Sequence, residues 1–246
     1  MQSSKPFLLL QLRPEDATSD SEYEAILVYS GLRPENVHRI RIEKNGIPQI
    51  DLDSYSAVIV GGSPFDITTP ENEKSAIQRK IEAGFKELFG YVVPNDFPFL
   101  GACSGNGLLG SYLGAHLSNK YAEPVGGATV TITEEGLVDP LLHGFPQQIR
   151  VLLGHKEACD IVPEGATLLI KGEACPVQMF RVGQNVYATQ FHPEGDCEGF
   201  TVRIRAYKNH GYFPAEEADD LIEILSKEKT PYAQKILKRF VARYAV

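Results

Sequence analysis

Tryptophan is absent from the 246 residues, methionine occurs twice and cysteine four times. Four thiols (Cys103, Cys159, Cys175 and Cys197) in a chain this long make no disulfide scaffold. Without a C-x-x-C pair none of them belongs to a zinc-type cluster, so no metal is expected. This cysteine usage suits a reduced, cytoplasmic protein. Long apolar runs are also missing. Nothing approaches the roughly 20 residues of a membrane helix, and the run from Phe7 to Leu10 meets Arg13, Glu15 and Asp16 too soon for a signal segment. Dense Lys/Arg runs are absent too: 24 Lys+Arg stand against 32 Asp+Glu, a formal net charge of −8. That balance argues against a nucleic-acid backbone or an anionic membrane as the main partner.

What remains is ample core-forming material, 43% hydrophobic with 23% charged residues. Such a chain buries a sizeable core and is not disordered. At about 150 residues per domain, one elaborated domain over 1–246 fits better than two. In the first half, strand-like runs at 7–12, 37–42, 57–60 and 99–103 alternate with helical spacing at 20–29, 71–89 and 104–117. That alternation predicts βαβ units and a mostly parallel sheet flanked by helices, an α/β fold. The second half changes to short β-like runs at 128–133, 149–153, 166–171, 177–181 and 186–191, with Gly183-Gln184-Asn185 as a hairpin connection. These form a small antiparallel extension. Residues 198–246 read as a helical C-terminal extension, broken at Gly211-Tyr212-Phe213-Pro214.

Three segments carry chemistry. The first is Gly101-Ala102-Cys103-Ser104-Gly105, where a buried strand runs straight into a helix. A sharp strand-to-helix elbow requires small neighbours around its central residue, and it aims that residue at the positive end of the helix. Cys103 is thus a candidate nucleophile, its thiolate favoured by the dipole, with the Ser104 amide facing a developing oxyanion. The second is Gln190-Phe191-His192-Pro193-Glu194. Proline holds the residue before it extended, so His192 and Glu194 project to one side; a carboxylate there orients an imidazole base. The third is Gly61-Gly62-Ser63-Pro64, where a strand empties at the edge at which open α/β sheets bind ligands. Gly62 offers a second oxyanion amide.

Gly-Gly-x-Pro, then G-x-C-x-G, then Gln-Phe-His-Pro-Glu, in this order and spacing, resembles a class I glutamine amidotransferase. The likeness extends to the glutaminase portion of GMP synthase and its free-standing homologues, over about residues 7–194. The resemblance implies a flavodoxin-like fold and an enzyme needing no cofactor. It implies attack of Cys103 on the side-chain amide of glutamine, with a γ-glutamyl thioester intermediate. His192 would be the general acid/base, Glu194 its orienter, and the Gly62 and Ser104 amides the oxyanion hole. Gly61, Gly154, His155 and Lys156 fall where family members hold the substrate.

Two departures stand out. The glutamine that commonly follows the elbow as C-x-G-x-Q is Gly107 here, and the usual Ser-His-Gly is Gly154-His155-Lys156. Neither a synthetase phosphate loop nor room for a synthetase domain is present. Three readings stay open: a glutaminase feeding ammonia to a separate synthetase, a stand-alone γ-glutamyl peptidase or hydrolase, and a non-catalytic thiol sensor of the same fold. Cys197 reads as a loop thiol rather than a partner of Cys103, and His155 with His192 and Glu194 lacks metal-ligand spacing. Asp66, Arg181 and Lys156 fall near loops at the border of a cleft and read as surface residues there.

Overall fold

The computed structural model describes residues 5–209 and 213–245. Strand β1 (Phe7–Gln11) leads into helix α1 (Asp16–Ser30), and β2 (Val37–Arg41) into the single-turn α2 (Ile42–Asn45). Next come β3 (Ala57–Val60), α3 (Ala76–Val92), β4 (Phe99–Ala102) and α4 (Ser104–Tyr112). The β-rich half contains β5 (Leu117–Ser118), β6 (Glu123–Ile132), the short α5 (Glu134–Leu137), β7 (Gln148–His155), β8 (Ala158–Cys159), β9 (Ala166–Gly172), β10 (Met179–Val182) and β11 (Val186–Thr189). Helices α6 (Cys197–Tyr207), α7 (Ala218–Leu225) and α8 (Pro231–Tyr244) close the chain.

Nine strands form one sheet in the order β2-β1-β3-β4-β11-β10-β9-β6-β7. The first five pair in parallel and the last four antiparallel. The antiparallel strands therefore extend the main sheet beyond β11. Strands β5 and β8 pair separately.

The period-two alternation of a strand explains why β1 is apolar throughout. Phe7 and Leu9 face a core shared with Ile26 of α1 and Ile236, Leu237 and Phe240 of α8. Leu8 and Leu10 face the opposite core, with Ile81, Phe85 and Phe89 of α3 and Leu109 of α4. A strand covered on both faces has no solvated side to spend polar residues on. The mostly parallel sheet with helices on both faces is the expected α/β architecture.

Boundaries differ where caps decide them. Helix α3 starts at Ala76 rather than 71 because Ser75 caps it, its hydroxyl accepting from the Gln78 amide at 3.1 Å. Helix α4 ends at Tyr112 rather than 117, since Gly114 turns left-handed at φ 81° and frees Leu117 to pair with Cys159. Of the anticipated C-terminal break, Gly211 and Tyr212 lie outside the described residues; Phe213 and Pro214 precede the turn into α7. No described helix is long and apolar enough to cross a membrane.

Candidate functional site

The carboxyl ends of the adjacent parallel strands β1, β3, β4 and β11 bring together residues from across the sequence. They deliver Arg13, Gly62, Cys103 and His192 to one edge of the sheet. Cys103 caps α4 at φ 53° and ψ −97°, a conformation that costs a non-glycine residue on the order of 1–3 kcal/mol. The surroundings enforce it. The Cys103 amide donates to Thr189 O at 2.7 Å, and its carbonyl accepts from the Asn106 amide at 2.9 Å. The elbow also needs Gly101: a Cβ there would lie 2.9 Å from the Gly105 backbone, so any side chain would force helix and strand apart. Ser104 opens α4, where first-turn amides lack intrahelical acceptors.

His192 and Glu194 are buried, and His192 Nδ1 lies 2.7 Å from Glu194 Oε1. A neutral ring therefore carries its proton on Nδ1 and keeps Nε2 as a base. Glu194 Oε1 also accepts from Arg203 Nη2 at 2.7 Å. Arg203, on α6, reaches on to Glu22 Oε2 at 3.7 Å. Glu22 is 0% exposed and is engaged on both oxygens. Its Oε2 accepts from Arg13 Nε at 2.7 Å and from the Gly62 amide at 3.2 Å, while Oε1 accepts from Gln11 Nε2 at 3.0 Å. The chain thus builds a buried charged layer, Arg13–Glu22–Arg203–Glu194–His192, behind Cys103. Gly62 departs from expectation here, because its N–H points at a carboxylate rather than towards an oxyanion. A side chain at Gly62 would meet Arg13 Nη2 at 2.5 Å and His192 Cε1 at 2.7 Å.

Two cavities flank Cys103 and share Ser63, Cys103 and Gly154 in their walls. The first adds Asp66, Ser104, Gly107, His155, Lys156, Glu157 and Gln190. It holds charges of both signs: Lys156 Nζ lies 3.9 Å from Asp66 Oδ2, and Glu157 accepts from the Ile67 and Thr68 amides, each at 2.8 Å. The second is bordered by His192, Arg13 and Arg203, with Val125, Phe200, Ile204, Tyr207 and Phe213 around them. Of the expected substrate residues, Gly154, His155 and Lys156 line the first cavity. Gly61 packs so tightly on the Glu22 carboxylate that no side chain fits.

Burial pushes the Cys103 thiol up to about 11, against the pull of the Arg13 and Arg203 guanidiniums. In this state the helix N-terminus does not by itself make a thiolate. Burial likewise lowers His192, opposed by Glu194. Although burial disfavours its charge, Glu194 is held well below the usual carboxylate range by His192 and Arg203. In the first cavity, burial raises Asp66 and Glu157 above ordinary carboxylates.

Arg13, Glu22 and Arg203 were not singled out from the sequence, whereas Asp66, read as a surface residue near a loop, borders the first cavity beside the expected Lys156. Arg181 instead pairs with the buried Asp139 at 2.6 Å. Gln190 Oε1 and Arg203 Nη1 are buried without a hydrogen-bond partner among the described residues. Glu123, His155 and Cys175 bring one potential ligand atom each within 4.8 Å of one another. His155 uses both ring nitrogens, on Glu157 O at 3.0 Å and Glu123 Oε2 at 2.9 Å, and Glu123 also accepts from Gln178 at 2.6 Å. That cluster is a hydrogen-bonded brace under the 154–157 segment. All four cysteines are free, and Cys197 Sγ lies 3.2 Å from Leu225 O.

A glutamine amidotransferase from Thermotoga maritima has the same fold, with a TM-score of 0.78 at 21% identity over 98% of each chain. A glutamine amidotransferase-like protein of Salmonella typhimurium is 29% identical over 146 residues, and the match spans 59% of each of the two chains. A glutamine-hydrolyzing GMP synthase subunit of Sulfurisphaera tokodaii is 28% identical over 58% of this chain and 69% of its own. The model of the family described as glutamine amidotransferase class-I matches residues 21–204. That match covers well over half of the chain, and the protein belongs to the class I glutamine amidotransferases.

Proposed function

We propose that this protein hydrolyses the side-chain amide of glutamine at a Cys103–His192–Glu194 triad and supplies the ammonia to a separate synthetase. The observation that carries the reading is the pairing of an elbow cysteine with a histidine in one cavity wall, the histidine's far nitrogen held by a buried carboxylate at 2.7 Å. His192 takes the Cys103 proton as sulfur attacks the amide carbon, which offsets the cost of ionising a buried thiol. The proton then goes to the departing nitrogen, ammonia leaves, and a γ-glutamyl thioester remains. Water, deprotonated by His192, attacks the thioester and returns glutamate and the free thiol. The Ser104 amide supports the oxyanion. With the Gly62 amide occupied by Glu22, the second donor falls to Ser63, which lines both cavities and whose amide meets no acceptor among the described residues. Lys156, Asp66 and Glu157 suit the charged amino-acid end of the substrate. The separate synthetase is supported by the name of the Sulfurisphaera relative, which describes one component of a multi-chain GMP synthase.

A second reading, hydrolysis of other γ-glutamyl compounds, is favoured by Gly107. Gly107 offers the substrate no side-chain amide, and Ile67 Cδ1 and Leu117 Cδ2 crowd its Cβ position at 3.0 and 3.2 Å. The deciding experiment measures ammonia release from L-glutamine by the wild type and by Cys103→Ala. Cys103-dependent release is expected, with a loss of at least about 10³-fold in the variant, the scale on which triad nucleophiles act. Undiminished release by Cys103→Ala would overturn the triad.

A further inference from the structure

The 154–157 segment, which joins β7 to β8, forms one wall of the cavity beside the Cys103 elbow. Its imidazole has no ring nitrogen left to offer a substrate. His155 Nδ1 lies 3.0 Å from the Glu157 carbonyl, which can only accept, so this nitrogen is the donor. Nε2 lies 2.9 Å from Glu123 Oε2, and the His155 and Glu123 side chains are 3% and 8% exposed. Gln178, 0% exposed, donates to the same Oε2 at 2.6 Å. Glu123 opens β6 and stands opposite His155 of β7 in register, while Gln178 precedes β10. The brace is thus seated on the antiparallel half of the sheet.

From the ring the contacts run outward. The Glu157 carboxylate accepts from the Ile67 and Thr68 amides, each at 2.8 Å. Those amides belong to residues 61–75, which join β3 to α3 without a helix or strand of their own and carry Ser63 and Asp66 into the cavity wall. Outside regular helix and strand, a backbone depends on side-chain anchors of this kind. Gly107 leaves room for the anchor, since Glu157 Oε1 stands 3.6 Å from where a Cβ on that glycine would be.

We propose that His155 is a positioning residue for the glutamyl side of the site. Held by Glu123 and Gln178, it fixes the backbone of Glu157. The Glu157 carboxylate in turn fixes the 67–68 amides, and with them Ser63 and Asp66 beside Cys103. Glu123 borders neither cavity at Cys103, so its carboxylate acts on the substrate only through His155. The inference rests on the proposed amide hydrolysis at Cys103.

The test measures kcat and KM separately for Cys103-dependent hydrolysis of L-glutamine and of γ-L-glutamyl-p-nitroanilide. Iodoacetamide alkylation of Cys103 reads the nucleophile alone. Glu123→Ala removes the brace and is expected to raise KM about tenfold, the effect of one buried hydrogen bond, while kcat and alkylation change far less. Glu123→Gln is expected to restore most of the wild-type KM. Its NH2 can donate to Nε2 and to a flipped Gln178, whose Oε1 is buried without a hydrogen-bond partner among the described residues. In His155→Asn, which keeps an N–H for the Glu157 carbonyl, Glu123→Ala is expected to add nothing further. If Glu123→Ala does not fold, His155→Asn alone reads the same KM shift. An unchanged KM, a loss confined to kcat, or effects of the two substitutions that add would overturn the inference while leaving hydrolysis at Cys103 standing. No Cys103-dependent turnover of either substrate would remove the underlying reading, and the inference with it.

Discussion

Replacing Glu22 by glutamine tests the buried charged layer directly. The shapes match, but a carboxamide has one oxygen where four donors converge: Arg13 Nε at 2.7 Å, Gly62 N at 3.2 Å, Gln11 Nε2 at 3.0 Å and, more distant, Arg203 Nη2 at 3.7 Å. If the amide oxygen faces Arg13 and Gly62, its NH2 confronts the Gln11 NH2. Flipping Gln11 does not help, since that amide also donates to Ser19 O at 2.8 Å. Arg13 is 4% exposed and would be left with an uncompensated charge. Removing one partner of a buried ion pair costs about 3–5 kcal/mol. For a chain of this size each kcal/mol moves Tm by about 2–4 °C, so Glu22→Gln should lower Tm by roughly 6–20 °C. The assay is calorimetric unfolding at pH 7.5 beside Glu223→Gln, whose 3.0 Å pair with Lys227 has both side chains more than 70% exposed and should leave Tm unchanged. A Glu22→Gln shift below about 2 °C would refute the claim that this carboxylate holds the layer together.

Because burial sets the Cys103 thiol at about 11, its alkylation by iodoacetamide should rise about tenfold per pH unit from pH 7 to 9, the thiolate being the reactive form; a plateau below pH 8 would contradict this. Introducing the side chain common in family members, Gly107→Gln, should destabilise the fold by about 1–3 kcal/mol, because Ile67 and Leu117 occupy the space. Chemical denaturation reads the loss, and a neutral or stabilising result would show that the pocket accommodates the chain.

Cys103 is legible in the sequence because its requirements are local: small residues two positions to either side, a buried strand before and a helix after. His192 and Glu194 are legible for the same reason, two residues apart at a strand end. Glu22 is not. It sits among Asp20, Ser21 and Glu24 on α1 and reads as one more solvated helix position, yet its partners lie nine residues earlier and on α6. No local pattern distinguishes a polar residue facing water from one facing a distant guanidinium. The commitment of the Gly62 amide was hidden with it, since it depends on where α1 packs. The antiparallel strands were recognisable singly, but their enrolment in the main sheet depends on β11 pairing with β4, and strand propensity carries no partner information.

That pairing has a consequence for how the chain acquires reactivity. Strand β11 is made long after β4, yet it lies between β4 and β10 in the finished sheet. As synthesis proceeds from the N-terminus, Cys103 emerges with β3 and β4 already available to pair, but before His192 and before the Thr189 carbonyl that holds its strained amide. Long-range parallel insertion is among the slower events in folding. Until then the thiol lacks the His192, Phe200 and Arg203 side chains that line its cavity in the finished fold. The proposed base reaches the elbow only when the last parallel strand inserts, so that the proposed chemistry would double as a certificate of completed topology.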